Sequence, residues 1–424
     1  MNELFTKKPV SLSYLCIIAL CIFNSTYVYS QWSSQNANAP LQQLRGIHFI
    51  DDNTGLAVGD GGTILKTVNG GTAWTSQNSG TTTAGFRAVF FANATVAYAV
   101  GYPGEIYKTI DGGTTWNAQS SGVSSYLDGV YFTHAHTGYV CGGYPGPSVI
   151  LKTTNGGTTW TTQTFASITT EFRSIYFPVS TIGYATGNGG EIVKTTDAGL
   201  TWNQQTSATV SGLYGICFTD AITGHAVGSF GTYIKTTDGG ISWISGTSGT
   251  GEHLTSVFFT DASNGYLTGW NGTIRKTSNG GTSWSAESSS ANTNDILYSI
   301  YFPSMNVGYI AGKNDLGSSV SYEGMILKKG ASSTIGPDPL TGTMATAYPN
   351  PFSSYTMISL PHTSNTVVVE LYNIVGKAIK CSYKAVDGKI TIYRDELPDG
   401  IYFYKIKENG SGIIGNGKLI VIQQ

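Results

Sequence analysis

Alternating apolar and polar residues open the same phrase seven times along this chain. At Leu44, Phe86, Leu127, Phe172, Leu213, Leu254 and Leu297 a run such as LRGIHFI, FRAVFFA or LYGICFT begins, and the starts are 41 to 45 residues apart. A period of two predicts a strand with one face turned to a core. Each run passes through a polar turn into a short second strand, GLAVG in the first unit and GYLTG in the sixth. A third strand of the form TILKT, EIYKT or TIRKT follows, then a glycine-rich turn and a fourth strand led by Trp. Four strands in a unit of about 42 residues is the period of a β-propeller blade. The expected fold is therefore all-β, a seven-bladed β-propeller of four-stranded blades.

The seventh unit lacks its Trp-led strand, because GMILKK runs into GASS. A substitute stands at the other end of the chain. QWSSQN (Gln31 to Asn36) matches AWTSQN (Ala73 to Asn78) at four of six positions, and Trp32 lies 42 residues before Trp74, in phase with the repeat. The N-terminal segment is thus expected to pair into the last blade and close the ring, which removes an exposed sheet edge.

The turn before each Trp is itself a motif. In KTIDGGTTW, Thr109, Asp111, Gly113, Thr115 and Trp116 follow the S/T-x-D-x-G-x-S/T-W pattern and resemble the Asp-box hairpin of bacterial neuraminidase repeats. Short polar side chains that bond local N–H groups favour such turns. The acidic position is Asp at Asp111, Asp197 and Asp238 but Asn at Asn69, Asn155 and Asn279. A neutral amide serves ion binding and acid–base chemistry poorly, so these six positions are read as structural. Together with the G-x-I-x-K-T-x-D/N-G-G-x-T-W phrasing, residues 31 to 333 resemble the photosystem II stability and assembly factor-like family. The resemblance implies the propeller fold. Relatives of that type range from assembly chaperones to glycan-processing enzymes and surface proteins.

Both ends of the chain read as export signals. In residues 1–30, Lys7 and Lys8 precede an apolar run from Leu12 to Phe23, with Val28 and Ser30 before a cleavage site at Gln31; this is a signal peptide, too short to span a bilayer comfortably. It leaves Cys141, Cys217 and Cys381, scattered over different units and read as single thiols. After a small-residue and proline linker (334–343), residues 344–424 carry AYPNPF, VELYNIVGKAI and LPDGIYFYKI. Runs such as VVVELYN and KITIY alternate as strands do. The three blocks resemble the type IX secretion C-terminal sorting domain. That resemblance implies an immunoglobulin-like β-sandwich, a partner in the type IX secretion machinery, and passage through the periplasm and outer membrane of a Gram-negative cell. The tail is then clipped, and the product is released or held at the surface.

Charge narrows the partners. The chain has a formal charge of −2, and residues 31 to 333 hold 13 Lys and Arg against 17 Asp and Glu, a balance of −4. A nucleic-acid partner would need a net basic surface. The second residue of the first strand varies most within the repeat, running Arg45, Arg87, Asp128, Arg173, Tyr214, Thr255, Tyr298. In a propeller these residues can converge on the axis, where three guanidinium groups would repel one another until a carboxylate or sulfate bonded them, with Asp128 partly neutralising the cluster and orienting one neighbour. Arg45, Arg87, Asp128, Arg173, Tyr214 and Tyr298 are the candidate ligand-binding residues. Sialidases use an arginine triad of this sort, and Tyr214 or Tyr298 with Glu252 and Asp128 would be the nominal catalytic set. The sequence offers only FRAV and FRSI for the Phe-Arg-Ile-Pro signature, so no catalytic residue is assigned. Glu105 and Glu191 stand at a repeat position otherwise filled by Thr, and His134 and His136 lie on a hairpin tip with no third ligand. No metal or cofactor is expected. Lys66, Lys108, Lys152, Lys194, Lys235 and Lys276 recur once per unit, as structural residues do. The sequence thus points to a secreted or cell-surface binding or scaffold module, expected to be a monomer, whose ligand is an extracellular protein or glycan; a glycan-active enzyme is the alternative.

Overall fold

The computed structural model describes residues 32–35, 42–165, 168, 170–315, 322–329, 347–348, 350, 352–359, 367–373, 378–386, 388–395, 397–408 and 412–422. The expected signal peptide (1–30), the expected linker (334–343), Gln31 and Asn36 lie outside them. The chain divides into two compact units between Ser332 and Ser333. No α-helix occurs among the described residues.

The first unit holds seven four-stranded antiparallel sheets. Sheet one comprises Leu44–Phe49, Gly55–Gly59, Ile64–Thr67 and Thr75–Ser76. Sheets two to six repeat that order. Sheet seven takes three strands from Ile296–Ser304, Val307–Asp315 and Tyr322–Lys329, and its fourth is Trp32–Ser34, paired antiparallel as Trp32 with Lys329 and Ser34 with Leu327. Innermost strands touch those of the neighbouring sheets all the way round, the seventh touching the first.

The core is a series of wedges between neighbouring sheets. One wedge joins Tyr309, Ala311 and Ile326 of sheet seven to Leu44, Ile47 and Phe49 of sheet one. Most of the tryptophans stand edge-on to a Phe late in their own first strand: Trp74 to Phe49 at 5.9 Å, Trp202 to Phe177 at 6.0 Å, Trp243 to Phe218 at 6.1 Å. Trp32 meets Phe302 in the same way at 5.7 Å, so the residue that begins the described chain fills the seventh copy of that position.

A second tie crosses several of the wedges. Tyr98 Oη and Lys108 Nζ both donate to the Gly156 carbonyl of the next sheet's hairpin, at 2.8 and 2.7 Å. Tyr139 with Lys152 and Tyr184 with Lys194 repeat this on the carbonyls of Ala198 and Gly239. Lys108, Lys152, Lys194 and Lys235 therefore lash one sheet to the next, whereas Lys276 faces Glu287 of its own unit at 3.7 Å. In sheet five the tyrosine is replaced by His225, which is fully buried; its Nδ1 faces Tyr233 Oη at 2.9 Å while Nε2 has no protein partner. Desolvation lowers its pKa to about 3. The folded protein thus holds a neutral imidazole that the unfolded chain protonates below its ordinary pKa of about 6.5. Stability is fully present above that value and falls as pH drops towards 3, by about 1.4 kcal/mol per pH unit for one such group. Leu56 occupies the equivalent place in sheet one, so His225→Leu should flatten the decline of melting temperature between pH 6 and 4. An unchanged slope would exclude His225 as a source of acid sensitivity.

The second unit holds two four-stranded antiparallel sheets over one core. One contains Tyr355–Ser359 and Lys389–Tyr393, the other Val367–Asn373 and Gly400–Glu408. Phe352, Ile358, Leu371, Ile390, Ile392, Tyr404 and Ile406 pack between them. The alternation of VVVELYN and KITIY is the alternation of core and solvent.

Candidate functional site

A break in the ladder positions the site. In all seven sheets the pairing of the first two strands skips one residue, between Leu44 and Gly46, Phe86 and Ala88, Leu127 and Gly129, Phe172 and Ser174, Leu213 and Gly215, Leu254 and Ser256, and Leu297 and Ser299. The skipped residues are Arg45, Arg87, Asp128, Arg173, Tyr214, Thr255 and Tyr298. A bulge frees its extra residue from pairing and re-aims its side chain. The glycine opposite each bulge has no room for a side chain: a Cβ on Gly59 would fall 2.1 Å from the Gln43 carbonyl oxygen, and one on Gly228 1.7 Å from that of Gly212.

All seven bulge residues, with Trp270, line one cavity of about 250 Å³. Below it the channel passes small residues, Gly46, Ala88, Gly129, Ser174, Gly215, Ser256 and Ser299. Its other end is floored by a packed ring: His48 on Tyr301 at 4.3 Å and on Phe90 at 4.6 Å, Phe90 on Tyr131 at 5.0 Å, Tyr131 on Tyr176 at 5.2 Å, and Phe258 on Tyr301 at 5.4 Å. Cys217 fills the gap in that ring, and burial pushes its thiol well up. Cys141, Cys217 and Cys381 are free.

Asp128 sits among the arginines as a counter-charge, and two further carboxylates that the strand pattern did not point to join it. Asp128 Oδ1 lies 3.4 Å from Arg87 and 3.5 Å from Arg173. Arg173 also bonds Glu171, whose carboxylate accepts from Asn188 Nδ2 at 2.8 Å. Arg45 Nε faces Asp60 at 3.3 Å, and Gln43 bonds the other oxygen of that carboxylate. Three guanidinium groups therefore meet three carboxylates. Each arginine also lies over a tyrosine, Arg45 over Tyr298 at 4.8 Å, Arg87 over Tyr126 at 4.8 Å and Arg173 over Tyr214 at 5.8 Å. Burial pushes the Asp128 carboxyl up, against the pull of Arg87 and Arg173. Asp128 Oδ2 and Arg87 Nε are buried without protein partners.

Asp60 and Glu171 escaped the strand pattern because they lie outside the strands. Asp60, Tyr102, Asn188, Ser229 and Trp270 each follow the glycine opposite the bulge, and they form an outer ring beside the bulge residues. The signal was the third letter, different in each of VGDGG, VGYPG, TGNGG, VGSFG and TGWNG. Further out, Phe230 holds φ +55° where sheets one and four place Gly61 and Gly189. That conformation costs a residue with a Cβ about 1–2 kcal/mol, yet the Phe230 ring is 75% exposed.

The other candidates lie elsewhere. Glu252 does not line the cavity and accepts from Asn271 Nδ2 at 2.8 Å. Glu191 accepts from Gln204, and burial raises the Glu105 carboxyl. His134 and His136 are exposed, and no group of three potential metal ligands occurs among the described residues. In the hairpins, Asp111 accepts Thr109 and Thr115 hydroxyls at 2.7 and 2.6 Å and the Thr115 N–H at 2.9 Å; Asn69 accepts Thr67 Oγ1 at 3.0 Å and the Ala73 N–H at 2.9 Å. Asp and Asn thus close the same turn from one side-chain oxygen. Those bonds hold Asp197 and Asp238 down at about 2. Asn155 and Asn279 repeat the Asn69 pattern.

Residues 346–422 match the family described as the secretion system C-terminal sorting domain, and residues 24–121 match that of the photosynthesis system II assembly factor YCF48. The chain joins repeats similar to those of the assembly factor to a tail similar to the secretion sorting domain. A tail of this family implies interaction with the type IX secretion machinery. Among solved structures, YCF48 bound to D1 peptide is similar at TM-score 0.59 and 18% identity, over 71% of this chain and 97% of that one. YCF48 from Cyanidioschyzon merolae aligns at TM-score 0.58 and 19% identity over 71% and 99%. The WD40 β-propeller domain of Doa1 aligns at 0.53 and 10% over 70% and 97%. These likenesses show a propeller fold. No curated protein matches the chain.

Proposed function

We propose that this protein is a binding or scaffold module delivered to the cell exterior: a seven-bladed propeller (31–333) closed by its N-terminal strand, preceded by a signal peptide (1–30) and followed by a linker (334–343) and an immunoglobulin-like sorting domain (344–424). It travels through the periplasm of a Gram-negative bacterium and acts as a monomer, secreted or at the surface. Its Asp-box hairpins, at Asn69, Asp111, Asn155, Asp197, Asp238 and Asn279, hold the blades, and its ligand is an extracellular protein or glycan. The observation that carries the binding reading is the cavity, where the bulge residue of every sheet meets the others. Arg45, Arg87, Asp128, Arg173, Tyr214 and Tyr298 are its ligand-facing residues. A solved propeller of similar fold carries a peptide, which supports reading this one as a binder.

Export is tested by deleting residues 344–424. The separate cores of the two units predict that the remaining propeller folds, so the truncated protein should accumulate in the periplasm with a melting temperature like that of the propeller in the full chain. Normal surface delivery of the truncated protein would overturn the sorting role.

A further inference from the structure

We propose that the cavity takes the end of a neutral carbohydrate chain, and that Phe230, His253 and Trp270 form the track on which the next sugar rings lie. This rests on the cavity being the ligand site. It goes further by naming the ligand class.

The first argument is charge. Arg45, Arg87 and Arg173 already face Asp60, Asp128 and Glu171, so an incoming carboxylate would have to compete with three resident ones. The second is bonding capacity. The cup mixes carboxylates that can only accept (Asp60, Asp128, Glu171) with guanidinium groups that can only donate (Arg45, Arg87, Arg173). A hydroxyl donates and accepts, so a polyol can satisfy both, whereas an anion satisfies the guanidinium and repels the carboxylate. The third is the shape of the walls. Trp270 lines the cavity and is 42% exposed, its ring is 4.6 Å from His253, and His253 is 4.7 Å from Phe230. A row of aromatic faces running outwards from a polar cup suits the apolar C–H faces of successive sugar rings. Glu252 and Asn271, bonded to each other at 2.8 Å beside this row, offer a planar acceptor and donor for ring hydroxyls. The aromatic floor from His48 to Tyr301 stops a chain from threading the channel, so the cup receives a terminus.

The test uses the full chain and isothermal titration with cellohexaose, laminarihexaose and xyloglucan oligosaccharide, alongside peptides ending in a free carboxylate. At least one oligosaccharide should bind, with an affinity that changes less than about twofold between low and high salt, since no net charge is neutralised. Phe230→Ala and Trp270→Ala should each weaken it by about tenfold or more at unchanged melting temperature. Sugar binding that survives both substitutions overturns the proposed track. Binding of the peptides alone, weakened by salt, overturns the carbohydrate assignment while leaving the cavity as the site. No oligosaccharide binding at about 10 mM overturns the inference. Separately, if the Arg45→Ala, Arg87→Ala, Arg173→Ala triple variant binds the same probe undiminished, the cavity is not the site at all.

Discussion

Replacing Trp32 with alanine should destabilise the repeat unit by about 3–5 kcal/mol, the usual cost of emptying a buried indole site. The side chain is fully buried, edge-on to Tyr266 at 5.9 Å and Phe302 at 5.7 Å, and its Nε1 donates to Glu287 at 3.1 Å. Lys329 lies 5.6 Å over the same ring and bonds Glu287 at 3.1 Å, so truncation also loosens a buried ion pair. The backbone adds a tie, because the Trp32 carbonyl accepts the Ser290 N–H at 2.9 Å and joins sheet seven to the loop that leaves sheet six. Deleting residues 31–36 removes these contacts and the three pairs with Lys329, Lys328 and Leu327. The strand Tyr322–Lys329 then becomes an open edge. Calorimetry should show a lower melting temperature for both variants, and sedimentation should show self-association for the deletion, since an unpaired edge recruits strands from other copies. A deletion variant that melts like the parent and stays monomeric would show that the N-terminal strand does not close the ring.

The closing strand was legible because the repeat supplies a template: QWSSQN can be laid on AWTSQN, and the period says where it belongs. The bulge ring was half legible. Variation at Arg45, Arg87, Asp128 and Arg173 inside an otherwise constant strand marked a position released from packing, but a period of two assumes continuous pairing and cannot show that one residue per sheet is skipped. The partners of those arginines were hidden for another reason. Asp60 and Glu171 lie in connections, where no periodicity constrains side-chain direction, so only coordinates show that they turn towards the axis. Phe230 carried a readable signal of its own, since SFG stands where GDGG and GNGG elsewhere place a glycine with positive φ. His225 was likewise visible as the histidine in a column of Tyr98, Tyr139, Tyr184, Tyr266 and Tyr309. Its burial depends on a wedge formed with the next sheet.

Asp128→Ala should cost the fold about 3–5 kcal/mol and change what the cavity attracts. Removing one member of a buried, bonded charge set leaves the others without compensation, and Asp128 is the carboxylate shared by Arg87 and Arg173 at 3.4 and 3.5 Å. Its side chain is 6% exposed and that of Arg87 17%, so water repays little of the loss. In a unit of this size the shift corresponds to a fall in melting temperature on the order of 5–10 °C. Replacing both partners by apolar residues of similar volume avoids the orphaned charge, so Arg87→Leu with Asp128→Leu should recover much of the stability lost in either single variant, and the cycle should show a coupling of about 1.5 kcal/mol or more. The electrostatic effect separates from the structural one. With Asp128 gone the cavity carries one excess positive charge, so the single variant should gain salt-sensitive binding of small anions such as sulfate, whereas the double variant should not. Melting curves across a sulfate series read both outcomes together, because a ligand that binds only the folded state raises its melting temperature. If Asp128→Ala melts like the parent, the carboxylate is not what holds the arginines at the axis. If it is destabilised but gains nothing from sulfate, the neighbouring carboxylates of Glu171 and Asp60 already neutralise the ring.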